Sequence, residues 1–482
     1  MNTRAQRGGL LRHPLNDVVD LESVASAMEL DRPGADLVWL DSGASAHDGR
    51  SLLAWGVRVP LDGDAPVLPR LRAALVALPS VESADTGDVV PLGLVGWFGY
   101  ELAAETMGMP VADAPAHHRA SWLAVDRAVL VDHRSGTAEL VALDHEDAGT
   151  WSAELDEWRQ RMLVLIAGAG RASRPDVETA GLGSEPVAWR DHDAHYAHLV
   201  RRCQEAIREG EAYQLCLTTQ VTVPGQHDPL SLHTRLRRAS PAHHGALLRI
   251  GGTTLVSASP ETFLRVEYNA DSVIVSTRPI KGTRPRGSDA PGDAALAAEL
   301  AASSKEQAEN LMIVDLMRND LSRVSELGSV AVTGLLEVES YAQVHQLVST
   351  IEGRLRPGLD AIDVVSACFP AGSMTGAPKR RAIELLAAFE NAPRGIYSGC
   401  FGYLAADGAA DLAMVIRSVV IEQGVATVGA GGGVTALSDP HAEVEEMHLK
   451  AAALLDALAA PAAPAALGAF GALGALAAFP AG

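Results

Sequence analysis

Cysteine, aromatic residues and positive charge are all scarce in this chain. Its 482 residues hold four cysteines, and Cys203, Cys216, Cys368 and Cys400 are too widely spaced for a C-x-x-C metal or redox motif and too few for a disulfide scaffold. They read as small buried hydrophobes in a reducing compartment. Lysine and arginine number 39 against 60 acidic residues, a formal charge of −21. That balance lacks the basic face that nucleic-acid binding requires, and any anionic substrate would need positive charge concentrated locally. The first residues are basic but carry no apolar h-region or small-residue cleavage site, so a secretory signal is not expected and a cytoplasmic location is. Residues 456–482 are mostly Ala, Leu, Gly and Pro. Their prolines and weakly hydrophobic alanines favour a low-complexity tail over a membrane span.

Several signatures are missing as well. No G-x-x-x-x-G-K-[ST] phosphate loop occurs, and Gly372 to Lys379 has the flavour without the spacing. The glycine run at 429–433 lacks the third glycine of a dinucleotide fingerprint, and neither a G-x-S-x-G elbow nor an H-E-x-x-H helix is present. Nucleotide kinases, Rossmann dehydrogenases, α/β-hydrolases and zincins are thereby set aside.

What remains is a globular composition, 48 % apolar and 21 % charged, long enough for roughly three domains or one large unit. Residues 1–168 alternate short apolar runs with Gly, Pro and Asp turns, which predicts strands interrupted by one amphipathic helix near Trp151 to Ile166. Residues 169–190 read as a linker, and 191–455 as longer alternating helices and strands.

Two acidic segments stand out. Asp439 with Pro440 makes a helix start, so the glycines at 429–433 are expected in a turn feeding that helix, and Glu443 and Glu446 share a face three residues apart. Glu306 and Glu309 repeat that spacing on a patterned helix at 305–320. Paired carboxylates on two helices suit a hard cation with oxygen ligands, such as Mg²⁺. The competing readings are a solvated acidic helix in the first case and ion pairing with Lys305 in the second. Lys281 sits between Ile280 and Gly282, where desolvation would lower its pKa and make it a candidate nucleophile; the competing reading, favoured for a single lysine out of context, is a solvated charge.

In their order along the chain, these segments resemble the chorismate-utilising enzymes from about Asp191 to Ala453, with a weaker echo at Gly93 to Leu102. The resemblance implies an α+β fold, one large unit of two mostly antiparallel sheets packed face to face with flanking helices. The region before 168 would then belong to the same fold, and 169–190 would be an excursion within it. It also implies that Glu309 and Glu446 ligate Mg²⁺, with Glu443 and Glu306 close by. Gly431, Gly432, Gly433, Tyr397, Arg417, Gly282, Thr283 and Thr375 correspond to substrate-binding positions. His345 corresponds to a catalytic-site histidine, and Glu261 to the general acid that protonates a leaving hydroxyl and so needs a raised pKa.

Two positions discriminate within the family. Branches that add water place a lysine where this chain has Gln214, and a neutral amide cannot deprotonate water, so ammonia is the expected nucleophile. Anthranilate synthases usually carry alanine at the variable place of P-I-x-G-T, where this chain has Lys281. Lysine there is the mark of the aminodeoxychorismate synthase component I branch, in which its amine forms a covalent intermediate with chorismate. The implied partners are chorismate, ammonia and a separate glutaminase subunit, with neither nucleic acid nor membrane. Anthranilate synthase component I is the alternative, and tryptophan regulation is not expected because no clear effector motif is found.

Overall fold

A computed structural model describes residues 9–459, apart from 17–18, 44–45, 47, 64, 80, 82–89, 146–148, 170–186 and 270–271. Most of the expected linker and the chain beyond 459 therefore lie outside the described residues. The last helix, Pro440–Ala459, runs past the boundary expected at 455, and Ala188–Trp189, placed in the linker, already pairs with the strand Gln214–Pro224.

The strands form two sheets, of twelve and ten strands. Every pairing among the described residues is antiparallel, from Leu10–Leu15 on Thr137–Leu143 to Ile280–Pro285 on Val344–Arg354. Both sheets draw on both halves of the chain. In the larger one Leu37–Asp41 pairs with His244–Ile250, and in the smaller one Gly93–Phe98 pairs with Cys400–Ala405.

Side-chain alternation explains why these strands read as continuous apolar runs. Leu37 and Trp39 face a core shared with helices on the outside of the larger sheet, whereas Val38 faces the opposite way into the space between the sheets. Val95 and Trp97 fill that same inter-sheet core from the smaller sheet, while Leu94 and Phe98 point outward to a third apolar cluster. A strand buried on both faces needs apolar residues at both parities. Each fully buried Leu, Val or Phe contributes roughly 1.5–3 kcal/mol relative to exposure.

Helices Asp193–Arg208 and Pro440–Ala459 cover the larger sheet through Tyr196, Leu199, Met447 and Ala451. Helix Ser304–Ser322 covers the smaller one through Ile313, Val314 and Met317. Asp439 caps the last helix as expected, its Oδ1 accepting from the amides of His441 and Ala442 at 2.9 Å each. The glycine run does not form the expected turn. Gly429 to Gly433 lie within the strand Val425–Val434, paired residue for residue with Gln214–Pro224, and Thr435 to Asp439 make the turn instead. Among the described residues no helix is long and apolar enough to cross a membrane.

The chain steps from one sheet to the other at two neighbouring points. Strand Thr253–Ser259 belongs to the larger sheet and Thr262–Asn269 to the smaller, leaving Glu261 at the step. Ala410–Met414 and Ser418–Glu422 make the reverse passage around Arg417. The two steps are tied together, since Ala258 N–H donates to the Arg417 carbonyl at 3.1 Å and Met414 N–H to that of Glu261 at 3.0 Å.

Candidate active site

The steps fix two of the expected site residues. Glu261 is buried, 7 % exposed, and burial pushes its carboxyl up against the opposing pull of Lys281, a Ser373 hydrogen bond and Lys450. Arg417 adopts a left-handed backbone conformation, φ 51°, unusual for a long side chain. Burial draws its guanidinium down, while Tyr397 and Glu446 oppose the shift.

Lys281 lies on Ile280–Pro285, a strand whose register against Val344–Arg354 shifts between Ile280 and Thr283. Gly282 makes the irregularity possible. Its φ is +88°, and a Cβ there would stand 2.9 Å from Leu300 Cδ1 and 3.1 Å from Glu306 Cβ. The expected fall in the Lys281 pKa is not found. Burial does pull it down, but Cys216 and the carboxylates of Glu309, Glu261 and Glu446 outweigh that, and the net direction is upward. Because burial also raises the Cys216 thiol, which is then neutral at pH 7, the three carboxylates carry the effect. Lys281 therefore rests as an ammonium among acids.

The four glutamates project from two helices, as their spacing predicts. Glu309 is on the buried face of Ser304–Ser322 and Glu443 on that of Pro440–Ala459. Burial raises the carboxyls of both, whereas Lys450 holds that of Glu446 down despite burial. Lys450 Nζ stands 2.7 Å from Glu446 Oε1 and donates to the Gly431 carbonyl at 2.8 Å. Lys305 feels Glu309, Glu443, Glu446 and Glu306, and its net pKa rises although burial opposes it. Arg284 adds a 3.7 Å contact to Glu306. The donors are all oxygens suited to a hard cation, and the Lys450 ammonium already contacts one of them, on Glu446. Among the described residues the four carboxylates do not bring three oxygens within 4.8 Å of one another.

The glycine strand is glycine for steric reasons. A Cβ on Gly429 would fall 2.1 Å from the Tyr397 ring, one on Gly432 2.9 Å from Glu443 Oε2, and one on Gly433 2.2 Å from Gln214 Nε2. The strand is thus a floor on which Tyr397, Gln214 and the acidic helix rest. The Gly431 carbonyl faces Lys450 and not the neighbouring strand, so the backbone of Gly431 points away from the ladder. Gln214 is 2 % exposed, and its carbonyl oxygen has no hydrogen-bond partner. A buried orphan acceptor costs about 1–3 kcal/mol, which makes it a waiting contact for a donor.

Other expected residues are placed differently. His345 is 1 % exposed and both ring nitrogens are engaged, Nδ1 with Ser340 Oγ at 2.8 Å and Nε2 with Asp293 Oδ1 at 2.9 Å. Opposite Arg284 in the ladder, it orders the Lys281 strand and has no nitrogen left for a ligand. Thr375 is fully buried and its hydroxyl donates to the carbonyls of Ala371 and Gly372 at 3.2 and 3.3 Å, while Thr283 is exposed. A cavity of about 1050 Å³, lined in part by Asp41, Arg50, His244, Arg265, Arg278 and Asp411, lies apart and includes none of the expected site residues.

Sequence reasoning missed the role of Lys450, Ser373 and the ion pairs beneath the site. Arg394 and Glu390, 1 % and 3 % exposed, meet at 2.7 Å, and Arg394 also donates to the Met374 and Cys216 carbonyls. Its own amide donates to Glu101 Oε1 at 2.7 Å, which ties in the Gly93 to Leu102 echo. Lys379 is buried on Asp320 at 2.6 Å. One signal could have found the lysines. Of the 39 basic residues just four, Lys281, Lys305, Lys379 and Lys450, are lysine. Three surround the acidic cluster and the fourth is buried, so lysine persists here where a compact ammonium is needed and a guanidinium fork does not fit.

The family described as chorismate binding enzyme matches residues 39–456, which takes in most of both sheets and every candidate site residue placed above. The chain belongs to the chorismate-binding enzyme family. It is 45 % identical over 373 residues to an aminodeoxychorismate synthase of Streptomyces pristinaespiralis, covering 76 % of this chain and 51 % of that protein. The anthranilate synthase component 1 of Streptomyces coelicolor is 37 % identical over 378 residues, covering 76 % of this chain and 72 % of that one. The chain spans about half the length of the aminodeoxychorismate synthases it matches in the two Streptomyces species. The solved anthranilate synthase component I of Streptococcus pneumoniae superposes with TM-score 0.68 at 25 % identity, covering 91 % of this chain and 99 % of that one. The chorismate-binding fold expected from sequence, two antiparallel sheets with flanking helices, is the fold observed.

Proposed function

We propose that this chain is the chorismate-aminating component of an aminodeoxychorismate synthase, making 4-amino-4-deoxychorismate from chorismate and ammonia. The observation that carries the reading is Lys281 held among Glu261, Glu309 and Glu446. The aminodeoxychorismate synthase relatives at 44–45 % identity support it over the anthranilate synthase at 37 %.

The reaction needs Lys281 as an amine and Glu261 as a carboxylic acid, the state towards which burial pushes that carboxyl. One proton moved from Lys281 Nζ to Glu261 supplies both. The amine then adds at C2 of chorismate, the ring double bonds shift, and the C4 hydroxyl leaves as water with the proton from Glu261. Ammonia adds at C4, the double bonds return, and the Lys281 amine is expelled. The sum is chorismate plus ammonia giving aminodeoxychorismate plus water. Two displacements replace one difficult step. The orphan Gln214 carbonyl accepts an N–H of the incoming ammonia and has no basicity with which to activate water.

Glu309 and Glu446, with Glu443 and Glu306 beside them, would hold Mg²⁺, and Lys450 would yield Glu446 to it. When bound, the cation neutralises the substrate's ring carboxylate. Arg417, Tyr397 and the free backbone edge of the Gly431 to Gly433 strand orient the other carboxylate. Ammonia comes from a glutaminase partner, and four free, buried cysteines suit a cytoplasmic setting.

The test incubates the chain with chorismate, Mg²⁺ and an ammonium salt and reads the product by mass. Aminodeoxychorismate is expected, and fluorescent anthranilate or a hydroxylated isochorismate would overturn the reading. Lys281→Ala should lose ammonia-dependent turnover, and full activity in that variant would eliminate the covalent step.

A further inference from the structure

Outside the acidic site, one cluster has the chemistry of a metal centre. The ligand atoms of His117, His118 and Glu422 lie within 4.8 Å of one another, a grouping of His, Cys, Asp or Glu not found elsewhere among the described residues. His117 Nε2 stands 2.6 Å from Glu422 Oε1 and His118 Nε2 stands 3.0 Å from Oε2, with the two rings edge to face at 4.5 Å. We propose that His117, His118 and Glu422 form a binding site for a zinc-like divalent transition metal that clasps the two sheets together.

The donor set decides the class of ion. Two imidazoles and one carboxylate suit zinc or a neighbouring late divalent metal, whereas Mg²⁺ prefers oxygen throughout. Bonds of about 2.0–2.1 Å at tetrahedral angles separate adjacent ligand atoms by about 3.3 Å, so the two observed His–Glu422 spacings need to open by about 0.7 and 0.3 Å. The His117, His118 and Glu422 side chains are 42 %, 21 % and 28 % exposed, which leaves solvent access for a fourth ligand.

The surroundings also hold the ligands in place. The Thr253 hydroxyl donates to Glu422 Oε1 at 3.0 Å, an outer contact of the kind that orients metal-bound carboxylates. The His117 carbonyl accepts from Trp97 Nε1 at 3.1 Å and Ser121 Oγ at 3.0 Å, fixing the backbone from which the ring projects. Both histidines are on Ala116–Arg119, which leads into Ala120–Val125 of the smaller sheet, and Glu422 ends Ser418–Glu422 of the larger. A metal here would join the sheets on the far side of the strand that begins beside Arg417.

The experiment titrates chelator-treated full-length protein with Zn²⁺ by calorimetry, with millimolar Mg²⁺ present to occupy the oxygen site, and repeats it for His117→Gln, His118→Gln and Glu422→Gln. Glutamine can still hydrogen-bond to its neighbours, and circular dichroism verifies folding. One equivalent of Zn²⁺ is expected to bind wild type, with affinity at least about 100-fold weaker in each variant. Co²⁺ should give the visible absorption of a four-coordinate site in wild type alone. The proposal fails if wild type binds no Zn²⁺, the mark of a hydrogen-bonded clasp only, or if all three variants bind it equally, which would place the ion elsewhere. Neither result touches the assignment of the acidic site.

Discussion

Replacing Lys379 with methionine isolates the effect of one buried charge. Its ammonium donates to Asp320 Oδ2 at 2.6 Å and to the carbonyls of Cys368 and Pro370 at 2.8 and 2.7 Å. The side chains of the pair are 7 % and 3 % exposed, so water cannot take the place of the lost partner. Methionine nearly preserves the volume, and stripping a buried carboxylate of its partner costs about 3–5 kcal/mol. Burial already pushes the Asp320 carboxyl up while Lys379 pulls it down, and without the ammonium it rises further. A carboxyl with a higher pKa in the folded than the unfolded state binds more protons when folded. Stability then rises as pH falls through the folded pKa, by up to about 1.4 kcal/mol per pH unit. Urea midpoints for Lys379→Met, referenced to wild type at each pH, should therefore recover part of that deficit as pH falls. Asp320→Asn combined with Lys379→Met removes the charge, should exceed the single variant at pH 8, and should show no such slope. Wild-type stability in Lys379→Met at pH 8, or a deficit that acid does not shrink, refutes the reasoning.

The same linkage applies to Glu101, whose carboxyl burial pushes up to about 7. Wild type should lose about 3 kcal/mol as pH rises from the unfolded carboxyl value to 7 and none beyond, and Glu101→Gln should flatten that slope in urea melts. Gly433→Ala puts a methyl where the Gln214 amide lies, 2.2 Å from its nitrogen. The amide is the end of a flexible side chain and can shift, so the fold should survive while ammonia-dependent kcat falls about 10- to 100-fold, the loss that a misplacement of about 1 Å produces. Steady-state rates against ammonium concentration check this. Glu309→Ala and Glu446→Ala should each abolish Mg²⁺-supported turnover, and an unchanged Mg²⁺ titration would remove those residues from the ligand set.

The helix starts and acidic pairs were legible because they are local. Asp439–Pro440 and the i, i+3 glutamates need no tertiary information to be placed. The glycines at 429–433 misled because glycine usually marks a turn, while here it marks contact, with Tyr397, Glu443 and Gln214 arriving from three distant segments. Lys281 misled in the same way. Its desolvation was readable from apolar neighbours, but the carboxylates that reverse the shift come from other strands and helices. His345 was found as a motif residue, yet its confinement by Ser340 and Asp293 depends on how a helix packs over its strand. The scarcity of lysine is a property of the chain as a whole, invisible when each motif is read separately.

The interleaving of both halves of the chain in each sheet also governs its synthesis. Gly93–Phe98 finds Ala120–Val125 soon after translation, but its other edge pairs with Cys400–Ala405, roughly 300 residues later. At about 5–20 residues per second, a ribosome needs about 15–60 s to deliver that partner. Throughout that interval the apolar cluster around Val95 and Trp97 lacks Phe401, Ala413 and Val415, and an unpaired strand edge is open to any neighbouring chain. Expression yield should therefore respond to chaperone capacity, and a fragment ending before Cys400 should fold less cooperatively than the full chain in urea melts.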